Sequence, residues 1–275
     1  MTYFEVVSLL EERTGDLEAV LTLEAQKRED ALSAAAPTGP TFFMREGSAA
    51  IIPVRGVLLD EWSPYGPRWG ATGYNYVRNA VEQAAGDSNV RAIIMDYDSP
   101  GGLVAGVEET SNVIERNGKR YSGKPIFSVM RSTCASACYN LASNGDTLIA
   151  SPSTRVGSIG AKLTHISLQG MLERGGVKVT EIASHAGKAD TGPYKDLSDT
   201  AKARLEAEVK DAAEIFVQRV ARRRRMSVKE VHALNAEVFP AQSAAGRKTA
   251  LAAGLIDHVA SADDVVREIL SQSRL

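Results

Sequence analysis

A serine stands between two alanines in the run Cys134-Ala135-Ser136-Ala137-Cys138. An apolar stretch, Pro125 to Met130, precedes it, and a helix-forming stretch follows. The pattern predicts a strand, a tight turn, and a helix that begins at or near Ser136. Such a turn holds a hydroxyl at a helix N-terminus, where unpaired backbone N–H groups can stabilise an oxyanion. Serine is also a common N-cap, so the residue gains meaning only from its surroundings.

Three other stretches could complete a site. Ser99-Pro100-Gly101-Gly102 follows a continuous apolar run, Val90 to Asp96. The paired glycines predict a sharp turn after a strand, with an N–H pointing outward free of Cβ interference. Amides of Gly102 and Ala137 would then form a two-pronged oxyanion hole. In Val156-Gly157-Ser158-Ile159-Gly160, two glycines flank a second hydroxyl. Ser158 either orients a catalytic base or faces solvent in a tight loop. For the base itself, His165, His185 and Lys188 are the candidates. Lys188 follows a strand-like stretch at 177–183. A lysine accepts a proton near neutral pH only when burial disfavours its charged form. Asp96 and Asp98 could be paired carboxylates, but beside a Pro-Gly turn they read as structural. No G-x-x-x-x-G-K-[ST] phosphate loop is present.

The elements that must position these residues alternate. Ala49 to Leu58, Val90 to Asp96, Pro125 to Met130 and Asp146 to Ala150 read as strands. Tyr74 to Ala85, Val104 to Asn117 and the stretch from Ser136 to about Ser143 read as helices. Alternating strands and helices predict an α/β fold of βαβ units with a largely parallel sheet. Every strand-to-helix loop then opens at one sheet edge, bringing Gly102 and Ser136 together. Residues 60–73 are rich in Gly, Pro and aromatics, and so read as a loop near the groove. Residues 1–36 read as helical, and Pro37, Gly39 and Pro40 mark a linker. The division expected is a helical arm over 1–45 and a catalytic domain over 46–275. Beyond residue 196 the chain is mostly helical, with Arg222 to Arg225 at a helix end, where they suit the dipole. A patch for nucleic acid or an acidic partner is the sharper alternative for those arginines.

Composition narrows the class. A net charge of −2 gives no general pull toward nucleic acid or anionic membrane. Two cysteines cannot build a disulfide framework and, with no accompanying histidine cluster, cannot build a zinc site. Both are expected to be thiols in a reducing compartment. No basic, apolar leader opens the sequence, and no apolar run approaches about 18 residues. The expectation is a cytoplasmic protein without a membrane anchor, needing neither metal nor cofactor.

SPGG at 99–102, A-S-A-C-Y at 135–139, A-S-P-S-T-x-V-G-S-I-G at 150–160 and SHAGKAD at 184–190 resemble, in that order, the signal peptide peptidase A (protease IV) family. AGRKTALAAGLIDHV at 245–259 resembles the family's closing segment. The resemblance implies the ClpP/crotonase-type fold and a serine endopeptidase with a Ser–Lys dyad. Ser136 falls on the nucleophile and Lys188 on the general base. Ser158 falls on the lysine-positioning hydroxyl, and Gly102 and Ala137 on the oxyanion hole. Ala137 and Cys138 depart from the glycines that often follow the nucleophile. The short form is similar to capsid-maturation proteases of tailed phages and prophages. This implies protein or peptide substrates such as scaffold, portal or capsid proteins, a homo-oligomeric ring, and action in the host cytoplasm or procapsid. A soluble signal-peptide-peptidase-like degrading protease is the alternative of the same class. An inactive procapsid component and a crotonase-type acyl-CoA enzyme are those of another class; the latter needs neither Ser136 nor Lys188.

Overall fold

Two long apolar runs set the centre of the sheet. The computed structural model describes residues 7–8 and 42–272. Its first elements are β1 (Val7–Ser8), β2 (Met44–Glu46), β3 (Ala49–Leu59), β4 (Ala71–Gly73) and helix α1 (Tyr74–Gly86). β5 (Ala92–Leu103) is followed by α2 (Val107–Arg116) and the single turn α3 (Lys119–Ser122). β6 (Ile126–Ala135) runs into α4 (Ala137–Ala142), and β7 (Thr147–Ala150) and β8 (Arg155–Gly157) follow. α5 (Gln169–Arg174) and a 3-10 turn (Ala186–Lys188) lie in a long exposed segment. The last described elements are α6 (Asp199–Arg224), α7 (Val228–His232), β9 (Val238–Pro240), β10 (His258–Val259) and α8 (Ala262–Gln272).

Among the described residues the strands form one sheet with the path β10-β7-β6-β5-β3-β2. Every pairing from β10 to β3 is parallel; β2 alone on that path is antiparallel. The period-two alternation of β5 sends Ile93 and Met95 to one face and Ala92 and Ile94 to the other. The first face packs under α1, α2, α4 and α6, the second under α8. A sheet covered on both faces needs continuous apolar strands, which is the pattern the sequence carries.

Several boundaries differ from the sequence reading. SPGG is not a turn: β5 continues through it to Leu103, with Gly101 at φ 109° absorbing the irregularity. The ladder with β3 continues to Leu58↔Gly102, which is what keeps the segment extended. Residues 177–183 form no strand; Val177, Val179 and Ile182 are exposed, Ile182 almost completely. An alternating apolar pattern needs a neighbouring strand to become sheet, and within one copy this segment has none among the described residues. The helical arm predicted over 1–36 lies outside the described residues, except that Val7–Ser8 form a strand rather than helix.

The arginines of α6 are structural. Arg219 is buried, with its guanidinium on Glu108 (2.6 Å), Asn112 (2.9 Å) and Asn144 (3.2 Å). Arg223 donates to the carbonyls of Asn144 (2.7 Å) and Gly145 (3.2 Å), just past the C-terminus of α4. Arg224 binds Asp257 at 2.7 Å and the Gly254 carbonyl at 2.9 Å. Arg222 reaches Glu115 at 2.9 Å. The helix starts at a Ser198 cap that accepts from the Ala201 N–H, and its charged end is a clamp rather than a free basic patch. Replacing Arg219 with Ala leaves Glu108 and the buried Asn144 Oδ1 without their guanidinium partner beside a cavity, while Glu115 keeps Arg222. We expect it to cost about 3 kcal/mol of stability, read as a lower urea midpoint with an unchanged slope.

Candidate active site

Two parallel strands end level with each other, and each hands over to a serine. β6 and β8 pair in the register Cys134↔Val156 and Ala135↔Gly157. The next residues are Ser136 and Ser158, both at φ 55°. Non-glycine residues avoid positive φ, and each costs on the order of 1–3 kcal/mol unless its surroundings enforce it. Here they do. The Ser136 N–H donates to the Gly157 carbonyl at 2.8 Å, and the Ser158 N–H donates to the Glu237 carbonyl at 2.9 Å. Gly157 itself has φ 133°, and a Cβ on it would collide with the Glu237 carbonyl, so glycine is required there.

Ser136 caps α4, and its carbonyl accepts from the Asn140 N–H at 3.0 Å. Its Oγ is buried and has no hydrogen-bond partner. A buried unpaired hydroxyl is costly, so a group of this kind is kept for a purpose. Ala137 is the first helical residue, and its N–H has no acceptor within the helix. Buried hydrogen bonds hold α4 in place. Ser128 Oγ donates to the Ala142 carbonyl (2.8 Å), Tyr139 Oη to the Leu255 carbonyl (2.8 Å), and Ser111 Oγ to Asn140 Oδ1 (2.9 Å). Asn140, Ser111 and Tyr139 went unremarked in the sequence, because nothing in their spacing marks long-range polar pairing.

Gly102 lies on the strand next to β6. The β5–β6 ladder ends at Ser99↔Cys134, and β5 runs on past the Ser136 turn without β6, with α4 packed against it. A Cβ on Gly102 would overlap the Leu58 carbonyl of β3, so only glycine lets β5 lie this close. Ser136, Ala137, Ser158 and Gly102 thus meet at one sheet edge.

Lys188 is not joined to them in a single copy. It ends the 3-10 turn, exposed, and its amine makes no hydrogen bond or ion pair among the described residues. His165 lies on the same segment, within 3.2 Å of the Gly192 carbonyl, and His185 sits beside Ser184. Neither is bonded to Ser136. Asp96 is a structural carboxylate that takes Arg55 and Arg131 (2.7 Å), and Asp98 accepts from Ser132 and the Thr133 N–H (3.1 Å). The flanking thiols of Cys134 and Cys138 are unbridged, with Sγ atoms 3.2 Å apart. Burial pushes the Cys134 thiol well up, which keeps it protonated and a poor nucleophile. Among the described residues no group of three His, Cys, Asp or Glu side chains could hold a metal ion.

A cavity of about 210 Å³ opens beside Ala137. Val104, Val107, Ala161, Ile215 and Phe216 make most of its wall apolar, and Asn140 and Glu108 contribute polar edges.

The sequence pattern described as "Peptidase family S49" matches residues 118–275, a span that contains Ser136, Ser158 and Lys188. "Head-tail preconnector protein GP5" of Enterobacteria phage P21 is 32% identical over 217 residues, covering 79% of this chain and 42% of that protein. "Capsid assembly protease C" of Escherichia phage lambda is 32% identical over 217 residues, covering 79% and 47%. "Putative signal peptide peptidase SppA" of Enterococcus faecium is 25% identical over 191 residues, covering 69% and 53%. The chain spans less than half the length of the two phage relatives. Among solved structures, a mutant ClpP1 from Listeria monocytogenes aligns with a TM-score of 0.46 at 14% identity, over 77% of this chain and 91% of that one. Matched over more than half of its length, the chain belongs to peptidase family S49.

Proposed function

We propose that this chain is a serine endopeptidase of the Ser–Lys type that cuts proteins of an assembling phage head. The observation that carries the reading is Ser136: a buried, unpaired hydroxyl in an enforced strained turn, level with the hydroxyl-bearing Ser158. The names of the phage relatives at 32% identity, a head-tail preconnector protein and a capsid assembly protease, support head proteins as the substrate class.

In the proposed reaction, neutral Lys188 takes the proton of Ser136 Oγ as the alkoxide attacks the scissile carbonyl. The Gly102 and Ala137 amides receive the developing oxyanion, an interaction worth about 2.7–4 kcal/mol per donor. Lys188 then passes its proton to the leaving amine as the C–N bond breaks. Water, deprotonated by the same amine, attacks the acyl-enzyme ester and releases Ser136. Ser158 holds the lysine nitrogen in line. Lys188 is exposed in one copy, and a base of this type must be dried. The exposed Val177, Val179 and Ile182 on the same segment are what a neighbouring copy would cover. The reading therefore includes a homo-oligomer in which that segment docks and the amine loses its water.

The apolar cavity beside Ala137 suits a small or medium aliphatic side chain on the acyl side of the cleaved bond. Among the described residues no helix is long and apolar enough to cross a membrane.

The decisive experiment is labelling by a fluorophosphonate probe together with mass spectrometry of head proteins co-expressed with the chain. Labelling maps to Ser136, and new protein termini appear that are absent with Ser136→Ala. Ser136→Ala and Lys188→Ala each lower turnover by about a thousandfold or more, and the double variant falls little further because the pair acts as a unit. Full cleavage by either single variant would remove the dyad from the mechanism. Ala212→Phe, which fills the cavity wall, lowers kcat/KM about tenfold for peptides with leucine before the cut and much less for those with alanine. Equal loss for both peptides would show that the cavity is not the side-chain pocket.

A further inference from the structure

β5 has two edges at its C-terminal end. At Gly102 one edge is taken by Leu58 of β3. The other faced β6 only as far as Ser99↔Cys134. Beyond that point β6 turns away at Ser136, and the edge is left beside the candidate nucleophile. It is not empty. Val7 and Ser8 lie along it in antiparallel register, Val7↔Leu103 and Ser8↔Gly102.

We infer that the chain's own Val7–Ser8 strand occupies, as a competitor, the edge along which a substrate backbone would lie. The inference rests on the peptidase reading above and adds to it the occupant. An extended peptide gains affinity by adding a strand to an open edge, through main-chain hydrogen bonds that do not depend on its sequence. The β5 edge beyond Ser99 adjoins both the Ser136 turn and the Gly102 amide. The sense of the pairing also fits. A chain antiparallel to β5 travels from Leu103 toward Gly101. Extending the Ser99↔Cys134 register by two residues puts Ser136 at the level of Gly101. Val7 and Ser8 therefore stand where the acyl side of a substrate would lie as it approaches the nucleophile. Leu103 is buried, and Val104, the residue after it, lines the apolar cavity beside Ala137.

A chain that covers its own groove weakens every substrate by the fraction of time the groove is free. An edge open one-tenth of the time raises the apparent KM about tenfold and leaves kcat alone. Proline at positions 7 and 8 removes the N–H donors of the strand without touching the Ser136 turn. The test compares the full chain with its Val7→Pro/Ser8→Pro variant, in one preparation each, by hydrogen–deuterium exchange over 99–107 and by steady-state cleavage of a fluorogenic peptide. Faster exchange in the variant, with KM lowered about tenfold and kcat unchanged, supports the inference. Unchanged exchange overturns it whatever the activity. Faster exchange with an unchanged KM, in a chain whose Ser136 still takes the fluorophosphonate probe, overturns it while leaving the peptidase reading intact. No probe labelling and no cleavage by either chain overturns both.

Discussion

The pairing of Ala135 with Gly157 is the constraint on which the site depends. It brings two strands to an end at one level, so the residue after each begins a turn beside the other. It also supplies the acceptor for the Ser136 N–H, which fixes a φ that serine does not adopt unaided. Gly157 can serve only because it lacks a Cβ, since β9 passes close behind it at Glu237 and Val238. A short segment far along the chain thus holds the Ser136 turn from behind. The turn is stiff in consequence, and stiffness is what lets a hydroxyl stay unpaired without swinging onto a nearby carbonyl.

The helices complete that frame through polar atoms as much as through apolar area. α4 is a helix of six residues, too short to be stable alone. Its last carbonyl is held by Ser128, and the carbonyls just beyond its end are collected by Arg223 of α6. Arg219 ties the same region to α2 through Glu108 and Glu115. The consequence is that α6, which walls the cavity through Ala212, Ile215 and Phe216, is rigidly referenced to the Ser136 turn.

How much was legible in the sequence follows from which forces act locally. The apolar runs at Ala49 to Leu58, Val90 to Asp96 and Pro125 to Met130 announce buried parallel strands, and small residues around Ser136 announce a tight turn. These patterns are set by burial, which composition reports directly. SPGG misleads because Gly and Pro are usually punctuation. Here Gly102 is needed for close strand packing against Leu58 rather than for turning, and only the neighbouring strand can reveal that. The strand-like residues 177–183 fail for the complementary reason: the pattern is real, but among the described residues no strand pairs with it. The roles of Arg219 and Arg223 were invisible because their partners lie about 75 to 111 positions away.

The exposed position of Lys188 gives the proposed chemistry a physical switch. On the proposed reading the Lys188 amine acts as a base only once it is taken out of water, so a lone chain is idle. Covering the segment that carries Lys188 would bury Val177, Val179 and Ile182 and dry the amine in one step. The hydrophobic gain, about 25 cal/mol for each Å² of apolar surface covered, offsets the cost of desolvating the nitrogen. Ser136 and Ser158 need no such rearrangement, because their turns are already held by backbone hydrogen bonds. On the proposed reading the dyad divides into a rigid half built by folding and a conditional half built by association. Proteolysis would then be confined to places where the chain is concentrated, as inside a closed assembly, while the rigid half waits, formed and unreactive.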